Sequence, residues 1–258
     1  MNRKLIAFDI DGTLLDSNKE ILPSTLEVIK ALRAAGHLVT LATGRSFKLT
    51  EELIGELGFE NYILFNGAAA FIDHELVYSN TLDKAELDRL TAVLDQEKID
   101  VIFHSLTDAK RRSDQYEERT LAAMQSFNSY VPEVETDFYQ NNPIHQAIVF
   151  YNETEKELFE NQFPAFRFVR WHENSVDVVP NNGSKANTLM ALAEKYQIPR
   201  EDVIAFGDGD NDIEMLAAVG LGIVMGNASD EVKSYGDYVT DTNDADGIWK
   251  AAKEFKLI

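Results

Sequence analysis

The sequence predicts an α/β protein in which a parallel-sheet core domain is interrupted by a smaller α+β domain. Strands and helices alternate in the first part of the chain, the pattern becomes irregular from about Leu82, and the alternation resumes after Gly183. Because strand–helix–strand units form right-handed crossovers in a parallel sheet, the two outer segments are expected to build one sheet. The predicted limits are 1–81 and 183–258 for the core domain and 82–182 for the inserted domain.

The first segment reads as short apolar strands separated by two helices. Pro23 suits a first helical turn, and Gly36 and Gly58 suit the residues that follow the helix ends. Two apolar runs that bracket Asp73-His74-Glu75 predict a hairpin after the third strand. The predicted elements are a helix from Pro23 to Gly36, a helix Phe47–Leu57, and strands Lys4–Phe8, Leu38–Ala42, Tyr62–Phe65, Ala69–Ile72 and Leu76–Tyr78.

The inserted segment mixes strands and helices in a less regular order, and its stretch Thr107–Gln115 is polar with few apolar anchors. Its predicted elements are helices Leu82–Glu97 and Glu153–Glu160 and strands Val101–His104, Gln146–Tyr151, Phe166–Trp171 and Val176–Val179. The last segment alternates again. Its predicted elements are helices Lys185–Tyr196, Ile213–Ala218, Ser229–Ser234 and Ile248–Phe255 and strands Val203–Phe206, Leu221–Met225 and Asp237–Val239.

Composition restricts the partners of the chain. The 258 residues carry a formal net charge of −20, so the protein should repel nucleic acids and anionic membranes. No apolar run is long enough to span a membrane, and the apolar run before Asp9 is too short for a signal peptide. The absence of cysteine excludes disulfides and thiolate metal sites and fits a cytoplasmic location. A monomer or small homo-oligomer is expected.

The first polar cluster, Asp9-Ile10-Asp11-Gly12-Thr13, directly follows the first predicted strand. Ligands of open parallel sheets bind beyond the carboxyl ends of the strands, which is where this cluster should lie. An Asx-rich turn would account for polar residues after a strand, but not for a strand that itself ends on Asp9. Paired carboxylates at this edge suit Mg²⁺, and one of them could act as a nucleophile.

The second cluster, Gly207-Asp208-Gly209-Asp210-Asn211-Asp212, follows another predicted core strand. Its alternating aspartates match the opening of a calcium-binding EF-hand loop. That alternative fails because the sixth loop position would be Ile213 instead of Gly and the twelfth would be Val219 instead of Glu. The cluster therefore favours Mg²⁺, whereas Asp210 alone is more typical of a solvated helix N-terminus.

Two further signals are individually weak. Thr43-Gly44-Arg45 follows the second predicted strand and offers a hydroxyl and backbone N–H groups to a phosphate, although Thr-Gly is also a common helix cap. Lys185 lies in the first turn of a helix, where the unfavourable interaction of a cation with the helix dipole costs roughly 0.3–1 kcal/mol of stability. An anion beside Lys185 would make this arrangement favourable, but an exposed and tolerated lysine is the plain alternative.

Taken in order, these clusters resemble the four motifs of the haloacid dehalogenase (HAD) superfamily of phosphatases. Phe8-Asp9-Ile10-Asp11-Gly12-Thr13-Leu14 resembles the first motif, Thr43-Gly44-Arg45 the second, Lys185 the third and Gly207–Asp212 the fourth. The insertion point is similar to that of the Cof-type subfamily, as are Asn66-Gly67-Ala68 and Met225-Gly226-Asn227-Ala228. The resemblance implies a Rossmann-like core with an inserted α+β cap domain. Ala186 departs from the glycine that often follows the lysine.

The resemblance implies a Mg²⁺-dependent phosphatase that hydrolyses small phosphorylated metabolites through an aspartyl-phosphate on Asp9. Asp11 would act as general acid and then as general base, which predicts a raised pKa for Asp11. Mg²⁺ would be held by Asp9, the main-chain carbonyl of Asp11 and Asp208, with Asp212 supporting it directly or through water. The groups that would hold the phosphate oxygens are Thr43, Gly44, Lys185 and Asn211.

Other functions on the same fold remain open at this stage. A phosphomutase would share the core chemistry, and a non-enzymatic sugar-phosphate sensor would keep the pocket but lose the nucleophile. A receiver-type signalling domain would carry its acceptor aspartate on a later strand than Asp9. Candidate substrate contacts, each more typical of a structural or surface residue, are Arg45, Arg111, Arg112, His145, Trp171 and Asn182.

Overall fold

The computed structural model describes residues 3–115, 117–126 and 130–258. The chain divides into two compact units. The first comprises Met1–Arg45, Leu49–Tyr78 and Ser184–Ile258, and the second comprises Ser46–Lys48 and Ser79–Gly183. The domain limits drawn from the sequence remain a prediction, because compactness alone does not show that a segment folds independently.

The strands in the described residues are β1 (Leu5–Phe8), β2 (Leu38–Ala42), β3 (Tyr62–Leu64), β4 (Ala69–Ile72), β5 (Glu75–Ser79), β6 (Val101–His104), β7 (Ala109–Arg111), β8 (Gln146–Val149), β9 (Phe166–His172), β10 (Ser175–Pro180), β11 (Val203–Gly207), β12 (Leu221–Val224) and β13 (Tyr238–Val239). The α-helices are α1 (Pro23–Ala34), α2 (Phe47–Leu57), α3 (Lys84–Glu97), α4 (Glu117–Ser126), α5 (Phe138–Asn141), α6 (Lys185–Lys195), α7 (Ile213–Ala218), α8 (Asp230–Lys233) and α9 (Gly247–Glu254).

The first unit is built on an eight-stranded sheet in the order β13-β12-β11-β1-β2-β3-β4-β5. Neighbouring strands from β13 to β3 are parallel, and β3 pairs with β4 in the antiparallel direction. The chain moves from β1 to β2 on one side and returns to β11 on the other side of β1. The strand order therefore reverses beside β1, which is where open α/β sheets bind their ligands.

Apolar side chains fix the sheet against the helices of the first unit. Leu5 and Ala7 of β1 share one buried cluster with Leu189 and Leu192 of α6. On β1 and β11, Phe8 and Phe206 stack with ring centroids 4.7 Å apart. Because all four residues of β1 are buried, the strand reads as a continuous apolar run instead of an alternating one.

The second unit contains a five-stranded sheet in the order β7-β6-β8-β10-β9, with antiparallel neighbours throughout. Leu87, Leu90 and Leu94 of α3 belong to one buried cluster of this unit, together with Phe103 of β6. A second cluster contains Ala123 and Met124 of α4. A parallel-sheet core and a separate antiparallel sheet confirm the predicted α/β fold class.

The structure differs from the sequence-based elements mainly in the second unit. The polar stretch Thr107–Gln115 contains β7, and its Arg111 is buried with Nη1 3.9 Å from Oδ2 of Asp100. No strand was predicted here because β7 contains a buried, paired cation, Arg111, where a strand usually has an apolar residue. Helices α4 and α5 were not predicted. The helix predicted over Glu153–Glu160 is instead a 3-10 helix, Glu153–Leu158, because it buries no residue that would support a longer α-helix.

Among the residues that the structure describes, no helix is both long and apolar enough to cross a membrane. The cytoplasmic location and the oligomeric state expected from the sequence remain predictions.

Candidate active site

Two polar turns meet at the carboxyl edge of the first sheet because β1 and β11 are parallel neighbours. The backbone N–H of Asp9 donates to the carbonyl of Phe206 at 3.0 Å, so Asp9 continues the ladder of hydrogen bonds. Gly12 has a φ of +76°, and a Cβ at this position would lie 2.1 Å from Oδ2 of Asp208. Glycine is required here both by the backbone conformation and by the close approach of Asp208.

Lys185 joins the motifs of the two outer sequence segments. Its Nζ donates to Oδ1 of Asp9 at 2.7 Å and to Oδ1 of Asp212 at 2.8 Å. The Lys185 side chain is 1% exposed, and α6 carries it inward from the helix start that Ser184 caps. The plain alternative of an exposed lysine is wrong, because a buried ammonium between two carboxylates is a built ion-pair network.

Asp212 organises the turn after β11. Its Oδ2 accepts hydrogen bonds from the backbone N–H groups of Asp208 and Gly209, at 3.1 and 3.0 Å, while Oδ1 faces Lys185. Asp208 in turn accepts a hydrogen bond at Oδ1 from the Thr13 hydroxyl at 3.1 Å. The two turns are therefore linked by side chains that the sequence separates by almost 200 residues.

Burial of this cluster changes the protonation of its members. Burial, and then the charge of Asp212, raises the pKa of Asp9 to about 8. The same two causes raise the pKa of Asp208 to about 6. Burial alone would lower the pKa of Lys185, but the charges of Asp212 and Asp9 raise it overall. Lys185 therefore remains an ammonium, and the cluster has more negative charge than its single cation can compensate.

Asp11 lies outside that cluster and pairs with two cations. Arg45 donates from Nε and Nη2 to both Asp11 oxygens, at 2.8 and 2.7 Å, and Lys19 Nζ lies 3.0 Å from Oδ1. Burial would raise the pKa of Asp11, but the hydrogen bonds and charges of Arg45, and then those of Lys19, lower it overall. The raised pKa predicted for Asp11 is therefore wrong for this arrangement, in which Asp11 is a carboxylate.

The remaining phosphate-binding candidates lie at the same edge of the sheet. Thr43 is buried, and its hydroxyl accepts a hydrogen bond from the N–H of Arg45 at 3.1 Å. Asn211 donates from Nδ2 to Oδ1 of Asn66 at 3.1 Å. A Cβ on Gly44 would lie 3.0 Å from the same Asn66 amide. Asn66 therefore brings the turns after β2 and β11 together through its amide.

Three of the predicted metal ligands are close enough to share one ion. Asp9, Asp208 and Asp212 each offer a carboxylate oxygen within 4.8 Å of the others. If all three carboxyls are ionised, they exceed the Lys185 ammonium by two charges, whereas burial keeps Asp9 protonated below about pH 8 when no cation is bound. Hard oxygen donors with that excess fit a divalent cation such as Mg²⁺. The Asp11 carboxylate is not part of this group, and the contact predicted for its main-chain carbonyl remains a prediction.

No role is predicted from the sequence for Lys19, Asn66 or Asn227, although the last two lie in segments that carry the family resemblance. Asn227 hydrogen bonds to Gly12 and Asp208. No sequence signal marks Lys19, because its contact with Asp11 depends on the path of the loop after β1. The candidate substrate contacts of the second unit have partners within it: Arg111 lies near Asp100, Arg112 pairs with Asp95, His145 with Ser79, Trp171 with Asp177 and Asn182 with Asn80.

Comparison with known proteins identifies the family of this arrangement. The family model for haloacid dehalogenase-like hydrolases matches residues 6–251. The Bacillus subtilis protein YkrA is 37% identical over 258 residues, and the match covers 100% of both chains. The Bacillus subtilis 5-amino-6-(5-phospho-D-ribitylamino)uracil phosphatase YitU is 28% identical, with 97% of each chain covered.

A solved structure agrees with these relatives. The sugar phosphatase BT4131, of HAD subclass IIB, superposes with a TM-score of 0.86 at 29% identity and covers 99% of this chain and 100% of its own. The fold, the order of the four motifs and the buried Lys185 network are thus found in a chain whose relatives are phosphatases. The chain belongs to the haloacid dehalogenase-like hydrolases of the Cof type, as a phosphatase.

Proposed function

We propose that this phosphatase requires Mg²⁺ and hydrolyses small phosphorylated metabolites through an aspartyl-phosphate on Asp9. The observation that carries the proposal is the buried network in which Lys185 lies between Asp9 and Asp212, with Asp208 beside them. Full ionisation of this buried group would leave two negative charges in excess, which is costly unless a divalent cation compensates them, and the raised pKa of Asp9 reflects that cost. The network therefore supports both a cation site and a nucleophile at its centre.

In this proposal Asp9, Asp208 and Asp212 hold the cation, Asp212 through ligation or by orienting its neighbours. When bound, Mg²⁺ would neutralise charge on the phosphate oxygens and favour the ionised form of Asp9. An oxygen of Asp9 attacks phosphorus, a P–O bond forms to Asp9, and the bond to the leaving alcohol breaks. Lys185 stabilises the charge that develops on the transferring group, with Thr43, Gly44 and Asn211 as further donors to it.

Asp11 serves in the two proton transfers of this scheme. It protonates the leaving oxygen in the first step and removes a proton from the attacking water in the second. The carboxylate paired with Arg45 and Lys19 suits the second step directly. For the first step Asp11 must take up a proton, which its ion pair with Arg45 opposes. We therefore propose that substrate binding releases Asp11 from Arg45 before the leaving group departs.

The substrate class is proposed from the relatives. One is named for a phosphorylated ribitylaminouracil and another for sugar phosphates, so a phosphomonoester on a small polyol or sugar is the class to test first. We assign substrate selection to the second unit, as a cap domain, because the four catalytic motifs all lie in the first. The net charge of −20 makes a polyanionic substrate such as nucleic acid unfavourable.

The test is phosphate release from a panel of sugar and polyol phosphates, with Mg²⁺ and with EDTA. Release that requires Mg²⁺ is expected from at least one ester, and Asp9→Asn should abolish it because an amide is a poor nucleophile. Asp210→Asn is the matched control, since Asp210 is an exposed aspartate of the second cluster outside the three grouped carboxylates. It should keep near-normal activity.

Near-normal turnover by Asp9→Asn would reject the aspartyl-phosphate, and full activity in EDTA would reject the cation. Phosphate that stays on the product while its position changes would instead indicate a phosphomutase.

A further inference from the structure

Asn227 connects the turns that follow β1, β11 and β12. Its Nδ2 donates to the carbonyl of Gly12 at 2.9 Å and to Oδ2 of Asp208 at 3.0 Å. Its Oδ1 accepts a hydrogen bond from the backbone N–H of Asn243 at 3.1 Å. The side chain of an exposed asparagine thus reaches two acceptors and one donor on three other segments of the chain.

The chemistry of the partners fixes the orientation of this amide. A backbone N–H can only donate, so the atom that faces Asn243 has to be the oxygen of Asn227. The NH₂ group then faces a carbonyl and a carboxylate, both of which only accept, and each of its two hydrogens has a partner. The opposite flip of the amide would leave all three contacts mismatched.

The amide completes the restraint of Asp208. Oδ1 of this carboxylate accepts from the Thr13 hydroxyl, and Oδ2 accepts from Asn227. With one donor on each oxygen, the carboxylate plane is fixed, while each oxygen keeps a lone pair for another partner. Asn243, which donates to Asn227, is itself held in place because its Nδ2 donates to the carbonyl of Leu15 at 2.8 Å.

We infer that Asn227 is a positioning residue for the divalent cation. Its side chain sets the orientation of Asp208 and the distance between the turns after β1 and β11. This inference rests on the proposed Mg²⁺ site. An Asp208 that is already oriented loses less side-chain entropy when it binds a metal than a freely rotating one does. Partners that orient a metal ligand typically change metal affinity by about 10- to 100-fold when they are removed.

The experiment is a direct titration of the purified full-length protein with Mn²⁺, followed by electron paramagnetic resonance, and competition with Mg²⁺. Asn227→Ala should raise the Kd for Mn²⁺ by about 10-fold, and Asn227→Ser should do the same because its hydroxyl is too short to reach Asp208. Asn181→Ala is the matched control. Asn181 is also exposed and donates from Nδ2 to a backbone carbonyl, that of Pro164, at 3.0 Å, but in the second unit.

A second readout separates positioning from a general structural effect. If Asn227 positions the cation, the Mg²⁺ concentration for half-maximal phosphate release rises in both variants, while kcat at saturating Mg²⁺ stays near that of the wild type. An unchanged Mn²⁺ Kd in the folded Asn227→Ala and Asn227→Ser proteins would overturn the inference and leave the proposed function intact. A wild-type protein that binds neither Mn²⁺ nor Mg²⁺ would overturn both.

Discussion

Replacement of Lys185 by Met tests the buried network on which the site depends. Methionine keeps much of the volume of the lysine stem but removes the ammonium, which lies 2.7 Å from Asp9 and 2.8 Å from Asp212. At an effective dielectric constant of 20, each contact corresponds to about 6 kcal/mol of Coulomb attraction before desolvation is subtracted. Removal of one partner from a buried ion pair costs about 3–5 kcal/mol in practice. We expect Lys185→Met to lose about that much free energy of unfolding at pH 8 in EDTA.

The loss of free energy of unfolding in Lys185→Met should depend on pH, because the carboxyl groups beside Lys185 take up protons at low pH. Burial raises the pKa of Asp208 to about 6 and that of Asp9 to about 8, and the charge of Lys185 lowers both values, so Lys185→Met should raise both. Between about pH 6 and 8 the wild type has already lost the stability that protonated Asp208 provides, whereas the variant is still losing it. A carboxyl whose pKa is higher in the folded state stabilises the fold at low pH, and this contribution is lost as the pH rises through the folded value. The difference between the wild type and Lys185→Met should therefore be smaller at pH 5 than at pH 8.

Urea unfolding at both pH values, in EDTA, measures this difference. Lys195→Met is the matched control, because Lys195 is an exposed lysine in the last turn of the same helix. It should lose at most about 1 kcal/mol, from its interaction with the helix dipole. If the free energy of unfolding of Lys185→Met at pH 8 lies within about 1 kcal/mol of the wild-type value, the buried ion pairs do not stabilise the fold as proposed.

Three further substitutions test the pKa of Asp11, the close backbone contact at Gly67 and the burial of His104. Arg45→Gln should raise the pKa of Asp11 in the free enzyme, because it removes the two hydrogen bonds that lower it. The limb of the pH profile of kcat/KM that reports Asp11 should therefore move to higher pH, and an unmoved kcat/KM profile would contradict this assignment. Gly67→Ala should destabilise the protein more than Gly36→Ala in thermal unfolding. Both have positive φ, but only at Gly67 would a Cβ lie within 3 Å of backbone atoms, and equal losses would refute the clash. Burial lowers the pKa of His104 to about 4, so stability should fall as the pH drops from about 6.5 to 4, by up to about 3 kcal/mol. Urea midpoints of the wild type and His104→Gln should converge over that range, and parallel curves would exclude this contribution.

Features that depend on local pattern could be predicted from the amino-acid sequence. The apolar runs of β1, β2 and β11 and the turn residues after them are contiguous in the chain, so the strands and the motifs at their ends were predictable. Asp9, Asp208 and Lys185 were found in the same way, as polar residues at positions where a buried strand or a helix begins or ends. The short strand β7 escaped this reasoning because it contains a buried arginine instead of an apolar residue.

The contacts between polar groups, and the protonation states that follow from them, became visible in the folded structure. The sequence could not show that Asp11 would face Arg45 and Lys19 while Asp9 faces Lys185. Arg45 and Lys185 come from distant segments of the chain, and the contact of Lys19 depends on the path of the loop after β1. The pKa of each aspartate follows from those neighbours and from burial, so two carboxyls only two residues apart shift in opposite directions. Local pattern depends on neighbours along the chain, whereas electrostatics depends on distances through space, and folding alone sets those distances.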